Sequence, residues 1–258
     1  MSEASTWWWS EQGQGAVLAI TSRGSGESSG RYAGLDLALH VGDDDLAVRR
    51  NRKTVVGELA RLAGLPPEGV TPVFMDQVHG ADVRLVTRED DLNSAVPSSD
   101  AVVTTLPRVA LFALVADCTP VLLVDPDAGV AAAVHAGRPG MLAGVVPTAV
   151  TAMRDVGARE IRAVVGPSVC GRCYEVPGEM RDEAARIEPV CAAVTWTGTT
   201  AIDVAAGVVE QLARADVPTR WVPGCTRESL DLYSYRRDGR TGRFAGVVML
   251  TGPSQDAS

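Results

Sequence analysis

Three residues with metal-binding or nucleophilic side chains follow strand-like segments of the sequence. His79 stands in "TPVFMDQVHG", Cys118 in "VALFALVADC" and His135 in "GVAAAVHAG", each at or near the end of an apolar run. Residues just beyond strand ends converge on ligand crevices in α/β sheets. We therefore expect these three side chains to meet.

Two imidazoles and one thiolate suit a zinc ion. Three protein ligands leave a fourth position for water or substrate, which is the catalytic pattern, and the metal lowers the pKa of bound water to about 7. The alternative is that His79 and His135 are separately hydrogen-bonded and that Cys118 is a small buried side chain. The spacing leaves both interpretations open, because three scattered ligands form no tight local motif.

The remaining cysteines indicate no disulfide framework. An odd, irregular set of five cysteines in a chain of this length is typical of free thiols. The "CGRC" segment at Cys170 and Cys173 has no partner pair at zinc-ribbon spacing, and the sequence after it does not suit a thioredoxin-like helix. A redox or structural-zinc role is disfavoured there, and Cys191 and Cys225 are predicted to be structural.

Several arginines are candidates for binding an anion. Arg23 precedes the glycine-rich segment "GSGESSG", and four more lie in "YSYRRDGRTGRFAG". Guanidinium groups bind phosphate through paired hydrogen bonds, whereas each of these arginines alone could equally belong to a solvated turn. We expect at least one of the five to reach a pocket. The four in the second segment are Arg236, Arg237, Arg240 and Arg243.

One histidine and several acidic residues have further predicted roles. His40 in "LDLALHVGDDD" is predicted to be a turn or core histidine, and the aspartates at 43–45 are predicted to cap the next helix. Asp117 and Glu175 are candidate proton carriers.

The elements that position these residues predict a mixed-sheet α/β sandwich. Several strands in the middle of the chain follow one another without intervening helices, which excludes a strictly alternating doubly wound sheet. The strand segments are 15–21, 71–78, 81–87, 100–105, 109–117, 120–125, 129–136, 161–167, 219–224 and 244–250. The helical segments are 46–64, 144–157, 177–194 and 201–217.

Composition limits the classes of function. The chain has 258 residues, of which 46% are hydrophobic and 22% charged, as in a globular protein. We predict one catalytic domain over 15–252, a flexible N-terminal tail over 1–14 and a C-terminal tail over 253–258. Acidic residues outnumber basic ones 32 to 24, so nucleic acid is not an expected partner. No leader or long apolar run is evident, which predicts a cytoplasmic protein without membrane contact.

The motifs as a set resemble one known family. They run in order from about Arg23 to Leu250 and include "RYAGLDLALHVGDD", "DQVHGADV", "ADCTPVLLVDP", "AAVHAG", "GPSVCGRCYEV" and "CTRESLDLYSYRRDGRTGRFAG". The family is variously called multicopper polyphenol oxidase (laccase-like), peptidoglycan editing factor, and purine nucleoside phosphorylase of the DUF152 type. Two departures are visible. The family's "HAGWRG" is "HAGRPG" here, and Asp36 stands where asparagine is usual.

The resemblance implies a fold, a metal and an activity. The fold would be a single-domain layered α/β/β/α sandwich with mixed sheets, existing as a monomer or small homo-oligomer. One zinc per chain would be held by His79, Cys118 and His135. The activity would be phosphorolysis of purine nucleosides such as adenosine, inosine, guanosine and methylthioadenosine, with adenosine deamination at the same site. The substrate and phosphate would contact Arg23, also a catalytic candidate, and Asp36, Gln77, Arg138 and Arg243.

Other activities follow from the family's other names. A copper polyphenol oxidase is disfavoured, because a multicopper site needs many more imidazoles than the three histidines of this chain. A hydrolase that edits peptidoglycan precursors would use Cys118 as nucleophile with a histidine base. A non-enzymatic metal-binding or partner-binding protein is the fourth possibility. Arg138 is expected to adjust substrate or phosphate binding without holding metal, and Pro139 is expected to restrict it to extended geometry.

Overall fold

The computed structural model describes residues 5–24, 26–88 and 94–252. The predicted C-terminal tail at 253–258 and the first four residues of the predicted N-terminal tail lie outside the described residues. Within the described ranges the strands are β1 Trp7–Gly13, β2 Ala16–Thr21, β3 Thr71–Phe74, β4 Val83–Val86, β5 Ala101–Thr104, β6 Val109–Val115, β7 Thr119–Asp125, β8 Val130–Ala136, β9 Arg162–Val165, β10 Ala192–Val194, β11 Thr200–Ile202, β12 Thr219–Trp221 and β13 Phe244–Leu250.

The helices cover both outer faces of the strands. They are α1 Asp45–Leu62, α2 Arg138–Leu142, α3 Val145–Asp155, α4 Gly178–Ile187, α5 Val204–Arg214 and α6 Tyr235–Asp238 in the part of the chain that is described. Asp44 caps α1 by accepting a hydrogen bond from the Leu46 amide, as the aspartates at 43–45 predicted. No helix of the described ranges is long and apolar enough to cross a membrane.

Two mixed sheets carry most of the strands. One has the order β1-β2-β13-β6-β3, with β3 parallel to β6 and the other pairs antiparallel. The other has the order β12-β9-β7-β8-β5-β4, with parallel pairs at its two edges and antiparallel pairs between them. Strands β10 and β11 form a separate antiparallel pair.

The sheets pack face to face and each is covered by helices on its other face. Leu18, Leu111 and Leu122 belong to the apolar layer between the sheets. A second layer joins α1 to the five-stranded sheet, and a third joins α3, α4 and α5 to the six-stranded sheet. This confirms the α/β/β/α sandwich. Strands β6, β7, β8 and β13 are buried at every position, which explains why they read as continuous apolar runs rather than alternating ones.

The prediction of a flexible tail over 1–14 is wrong for residues 7–13. They form β1, which pairs with β2 in an antiparallel hairpin. Gln14 and Gly15 are the two loop residues, with φ of 47° and 77°, and this left-handed pair is the turn that twisted hairpins favour. The hairpin places a half-buried tryptophan edge on the five-stranded sheet.

The predicted helix over 177–194 ends earlier than the pattern indicated. It stops at Ile187, and Glu188 adopts φ −133° and ψ 86°. Pro189 disfavours helical geometry at the residue before it, so the chain turns and enters β10.

Candidate metal centre and substrate cavity

The structure brings the side chains of His79, Cys118 and His135 together. Their ligand atoms all lie within 4.8 Å of one another. Cys118 Sγ is 3.7 Å from His79 Nε2, and the two imidazole rings meet edge to face with centroids 4.7 Å apart. Their role as metal ligands stays a prediction, but the convergence that it needs is present.

The two sheets explain this convergence. Strand β6 belongs to the five-stranded sheet and β7 to the six-stranded sheet, so the short link that contains Cys118 crosses from one layer to the other. His135 lies on β8 opposite Pro120 of β7, which sets it beside that link. His79 follows β3, the strand parallel to β6. The site therefore lies at the seam between the sheets.

Asp100 organises the two histidines and was not among the predicted site residues. It is fully buried, and its Oδ1 accepts a hydrogen bond from His135 Nδ1 at 2.8 Å. The same carboxylate accepts the backbone amides of His79 at 3.0 Å and Gly80 at 2.6 Å. Burial works to raise the pKa of Asp100, but the hydrogen bonds from His135 and these amides outweigh it and lower the pKa. Asp100 thus stays ionised and fixes which His135 nitrogen faces Cys118.

The donor set fits a borderline-soft divalent metal such as zinc. Burial alone would raise the pKa of Cys118, yet the facing His135 and His79 lower it to about 6, which favours the thiolate. A carboxylate bonded to one nitrogen of a ligating histidine is the usual support around zinc. A Cβ added at Gly137 would lie 2.8 Å from His79 Cδ2 and 3.1 Å from Cys118 Sγ. Only glycine leaves these ligand atoms room.

A cavity of about 610 Å³ opens above the three residues. This volume lies within the range of small-molecule sites, roughly 300 to 1,000 Å³. Three arginines and two tyrosines contribute to its wall, namely Arg138, Arg236, Arg243, Tyr174 and Tyr235. The cavity therefore combines cationic groups for an anion, aromatic rings for a flat base and a metal-binding set.

The other predicted site residues divide into two groups. Gln77, Arg138 and Arg243 line the cavity. Arg23 and Asp36 are absent from that lining among the described residues. The Arg23 Nε donates to the Ala33 carbonyl at 2.8 Å, and its guanidinium lies 5.0 Å from the centre of the Tyr233 ring. The structure thus does not bring Arg23 to the cavity, where its predicted anion-binding role would need it.

The arginines near the C-terminus divide in a similar way. Arg237 donates to the carbonyls of Thr226 and Leu232, and Arg240 Nε donates to the Val41 carbonyl. Arg236 packs over the Tyr174 ring at 4.5 Å and lines the cavity with Arg243. The expectation that at least one arginine of the set reaches a pocket is met.

Arg138 does not have the extended geometry expected before a proline. It is the first residue of α2, and Gly137 before it is the extended one, with ψ 169°. Proline is tolerated in the first helical turn, because its missing amide would have no partner within the helix. The start of α2 then holds Arg138 half-buried at the cavity wall.

His40 and Asp117 also belong to the cavity wall, so all three histidines of the chain line the same cavity.

Asp117 has φ of 99°, which is rare for a non-glycine residue. Its carboxylate accepts hydrogen bonds from Thr226 Oγ1, Ser234 Oγ and the Arg236 amide, each at 2.6 Å. These contacts fix the Asp117 carboxylate and the Arg236 amide against each other, and the role of Asp117 as a proton carrier stays a prediction.

Asp36 has a structural setting that its sequence position did not indicate. It is fully buried, and its Oδ1 accepts the backbone amides of Ala38 and Arg243 at 3.0 and 2.8 Å. Its Oδ2 and the Oδ2 of nearby Asp43 are both buried without a hydrogen-bond partner in the described part of the chain. Burial raises the pKa of Asp36 to about 6, and Asp43 adds to the effect.

We expect Asp36→Asn to stabilise the protein at alkaline pH. Folding raises the pKa of the Asp36 carboxyl, so the folded protein is most stable below the unfolded pKa of this group, near 4. The free energy of unfolding then falls as the pH rises through about 6. An amide does not ionise, so the gain at pH 8 is on the order of 2–3 kcal/mol, or about 5 °C in Tm, and it vanishes near pH 4. Thermal unfolding at several pH values measures it. Asp45→Asn, on the exposed start of α1, is the control. An equal gain for Asp36→Asn at pH 8 and at pH 4 would contradict the explanation.

Comparisons with known proteins give a consistent result. A family model described as "Multi-copper polyphenol oxidoreductase laccase" matches residues 17–251. A purine nucleoside phosphorylase of Streptomyces coelicolor is 53% identical over 239 residues, covering 92% of this chain and 96% of the relative. One from Streptomyces griseus is 51% identical, covering 91% and 94%. The crystal structure of a Neisseria meningitidis DUF152 protein superposes with a TM-score of 0.82 at 29% identity, covering 96% of this chain and all of that one.

Proposed function

Because the chain belongs to the multi-copper polyphenol oxidoreductase laccase family, and its relatives are named purine nucleoside phosphorylases, we propose that it is a zinc-dependent purine nucleoside phosphorylase. Its substrates would be adenosine, inosine, guanosine or methylthioadenosine, together with phosphate. Adenosine deamination would occur at the same site. The observation that carries the proposal is one cavity that holds a His-Cys-His set beside three arginines and two tyrosines.

The wall of the cavity suits a nucleoside and an anion. The tyrosine rings of Tyr174 and Tyr235 offer faces on which a purine can stack. Arg138, Arg236 and Arg243 offer guanidinium groups that bind phosphate through paired hydrogen bonds. Burial lowers the pKa of Arg243, with Asp36 opposing that change. The Asp117 carboxylate accepts a hydrogen bond from the Arg236 amide, and this contact fixes the backbone position from which the Arg236 side chain extends.

His79, Cys118 and His135 are the residues that would hold the metal. When bound, zinc supplies a Lewis acid and a water of lowered pKa. Phosphorolysis requires phosphate to be held against C1′ of the sugar while the purine leaves, and the arginines provide that orientation. Deamination requires water to be activated near C6 of adenine, which places the base against the His-Cys-His end of the cavity. Both reactions would thus take place in the same cavity.

The decisive experiment follows adenosine in the presence and absence of phosphate. With phosphate, the zinc-loaded protein is expected to release adenine, together with hypoxanthine from any inosine that forms, and ribose 1-phosphate forms in an amount equal to the two bases together. Without phosphate, inosine is the expected product. Chromatographic separation of adenine, hypoxanthine and inosine measures all of these. If neither reaction occurs with zinc-loaded protein, the proposed function is wrong.

Arg138→Ala separates the two reactions. Loss of one charge-assisted contact to phosphate is expected to raise the KM for phosphate about 10-fold, which corresponds to roughly 1.4 kcal/mol. Deamination without phosphate and the zinc content are expected to remain unchanged. Arg50→Ala, an exposed residue of α1, is the matched control. Loss of zinc from Arg138→Ala would contradict this assignment.

A copper enzyme is the alternative that the family's name raises. All three histidines line one cavity, so none remains elsewhere in the chain for a further copper cluster. The donor set would accept a single copper ion, and metal analysis of the purified protein tells the two apart. The experiment above should be repeated with copper-loaded protein.

A further inference from the structure

A second group of metal-binding side chains lies apart from His79, Cys118 and His135. Cys170, Cys173, Cys225 and Glu228 each offer one ligand atom, and these atoms all lie within 4.8 Å of one another. Cys173 Sγ is 3.2 Å from Glu228 Oε1. Ligand atoms around tetrahedral zinc are about 3.5–3.8 Å apart, given Zn–S near 2.3 Å and Zn–O near 2.1 Å. A small contraction of the group therefore reaches zinc geometry.

Two tight turns build this group, and each supplies two ligands three residues apart. In the first, the amides of Cys173 and Tyr174 donate to the Cys170 carbonyl at 2.9 and 3.0 Å. In the second, the amides of Glu228 and Ser229 donate to the Cys225 carbonyl at 3.2 and 3.0 Å. Two short turns that face each other with such spacing are the usual frame of a structural zinc site.

Backbone contacts hold the two turns against each other before any metal binds. Ser168 and Cys225 form a parallel bridge, and the Thr226 amide donates to the Ser168 carbonyl at 3.1 Å. The Cys170 amide lies 3.5 Å from Cys225 Sγ, so it points a donor at a sulfur. Gly171 permits the first turn to pack closely, because a Cβ there would lie 2.8 Å from the Cβ of Asp203. The sulfur atoms are thus preorganised.

The chemistry of the ligands selects the metal. Thiolates favour soft or borderline ions, which excludes magnesium and calcium as occupants. Zinc accepts a carboxylate oxygen beside thiolates in a tetrahedral set. Four protein ligands also leave no open position, in contrast with the three of the first site. A closed set of this kind is structural.

We propose that Cys170, Cys173, Cys225 and Glu228 form a structural zinc site. Its role is to clamp two loops that carry part of the cavity wall. Val169 and Tyr174, which flank the first turn, line the cavity. Thr226, in the second turn, donates to Asp117. Zinc in this site therefore keeps the wall around the substrate in place without touching the substrate.

Zinc content of the purified full-length chain tests the site, with Cys118→Ser used to empty the first site. Wild-type protein is expected to hold two zinc ions per chain, Cys118→Ser one, and Cys118→Ser combined with Glu228→Gln or Cys225→Ser fewer than one. Cys191→Ala in the Cys118→Ser background removes a buried thiol outside both groups and is expected to keep one zinc. This count does not depend on turnover, so it stands even if the proposed activity fails.

A measurement on the unsubstituted cysteines guards against variants that do not fold. In the zinc-loaded Cys118→Ser protein, Cys170, Cys173 and Cys225 are expected to resist alkylation, and a chelator is expected to expose all three and to lower Tm. Peptide mass spectrometry assigns the modified thiols. Equal alkylation with and without chelator, or a disulfide between any two of these cysteines in the freshly purified protein, would overturn the proposal.

Discussion

Cys118→Ser is expected to remove the zinc of the first site and to lower kcat/KM for phosphorolysis on the order of 1,000-fold. A serine hydroxyl stays protonated at neutral pH and is a poor zinc ligand, so only His79 and His135 remain. Loss of a metal that contributes several kcal/mol to charge stabilisation accounts for an effect of about this size. Zinc content and steady-state kinetics with adenosine and phosphate measure the two losses together.

Cys191→Ala is the matched control for Cys118→Ser. Cys191 is a fully buried free thiol that packs with α4 and α5, away from the cavity. It is expected to lower stability without lowering zinc content. If Cys118→Ser keeps its zinc but loses all activity, Cys118 acts as a nucleophile, and the hydrolase interpretation gains support. If it loses zinc and keeps full activity, the metal is not needed for phosphorolysis.

Asp100→Asn is expected to weaken zinc binding at the first site 10- to 100-fold, the usual range for loss of a partner to a ligating histidine. The amide cannot accept on both atoms, so His135 loses its fixed orientation or the amides of His79 and Gly80 lose their acceptor. Zinc titration monitored by activity is the measurement. Activity is expected to return toward the wild-type value at saturating zinc.

Asp125→Asn separates a positioning role from a structural one. Asp125 ends β7 at the far end from Cys118, and like Asp100 it is buried and accepts backbone amides, here from Ala128, Arg159 and Glu160. We expect Asp125→Asn to lower Tm and to leave zinc affinity unchanged. An equal loss of zinc affinity in both variants would show that Asp100 acts only through the stability of the sheet.

The parts of the fold that sequence reasoning predicted are those fixed by local pattern. Apolar runs buried on both faces identified the strands that carry the site, and strand-end positions identified His79, Cys118 and His135 as neighbours. The sequence does not predict the hairpin strand β1, because Trp7–Gly13 shows no regular alternation of apolar and polar residues. The signal for it in the sequence is Gly13-Gln14-Gly15 directly before the apolar run of β2, since glycine favours the positive φ of a tight hairpin turn.

The parts that were missed depend on contacts between distant segments. Asp100 precedes β5 and meets His135 only because β5 pairs with β8, which no local pattern reveals. No partner pair stands at zinc-ribbon spacing from Cys170 and Cys173, whereas Cys225 and Glu228 lie more than fifty residues away and arrive through the Ser168 bridge. Arg23 is a candidate because of the glycine-rich segment that follows it, but its Nε donates to the Ala33 carbonyl, which comes from a turn that the local pattern does not reveal.

The seam position of the first site gives its metal a mechanical consequence. His79 lies on the link from β3 of the five-stranded sheet to β4 of the six-stranded sheet, Cys118 lies on the link from β6 to β7, and His135 lies on β8 of the six-stranded sheet. A metal held by all three would tie both of these links between the sheets to β8, in a chain whose five cysteines are free. At a free zinc concentration a thousand times Kd, binding to the folded state alone adds about 4 kcal/mol. Substrate turnover and cohesion of the sandwich would then depend on the same ion.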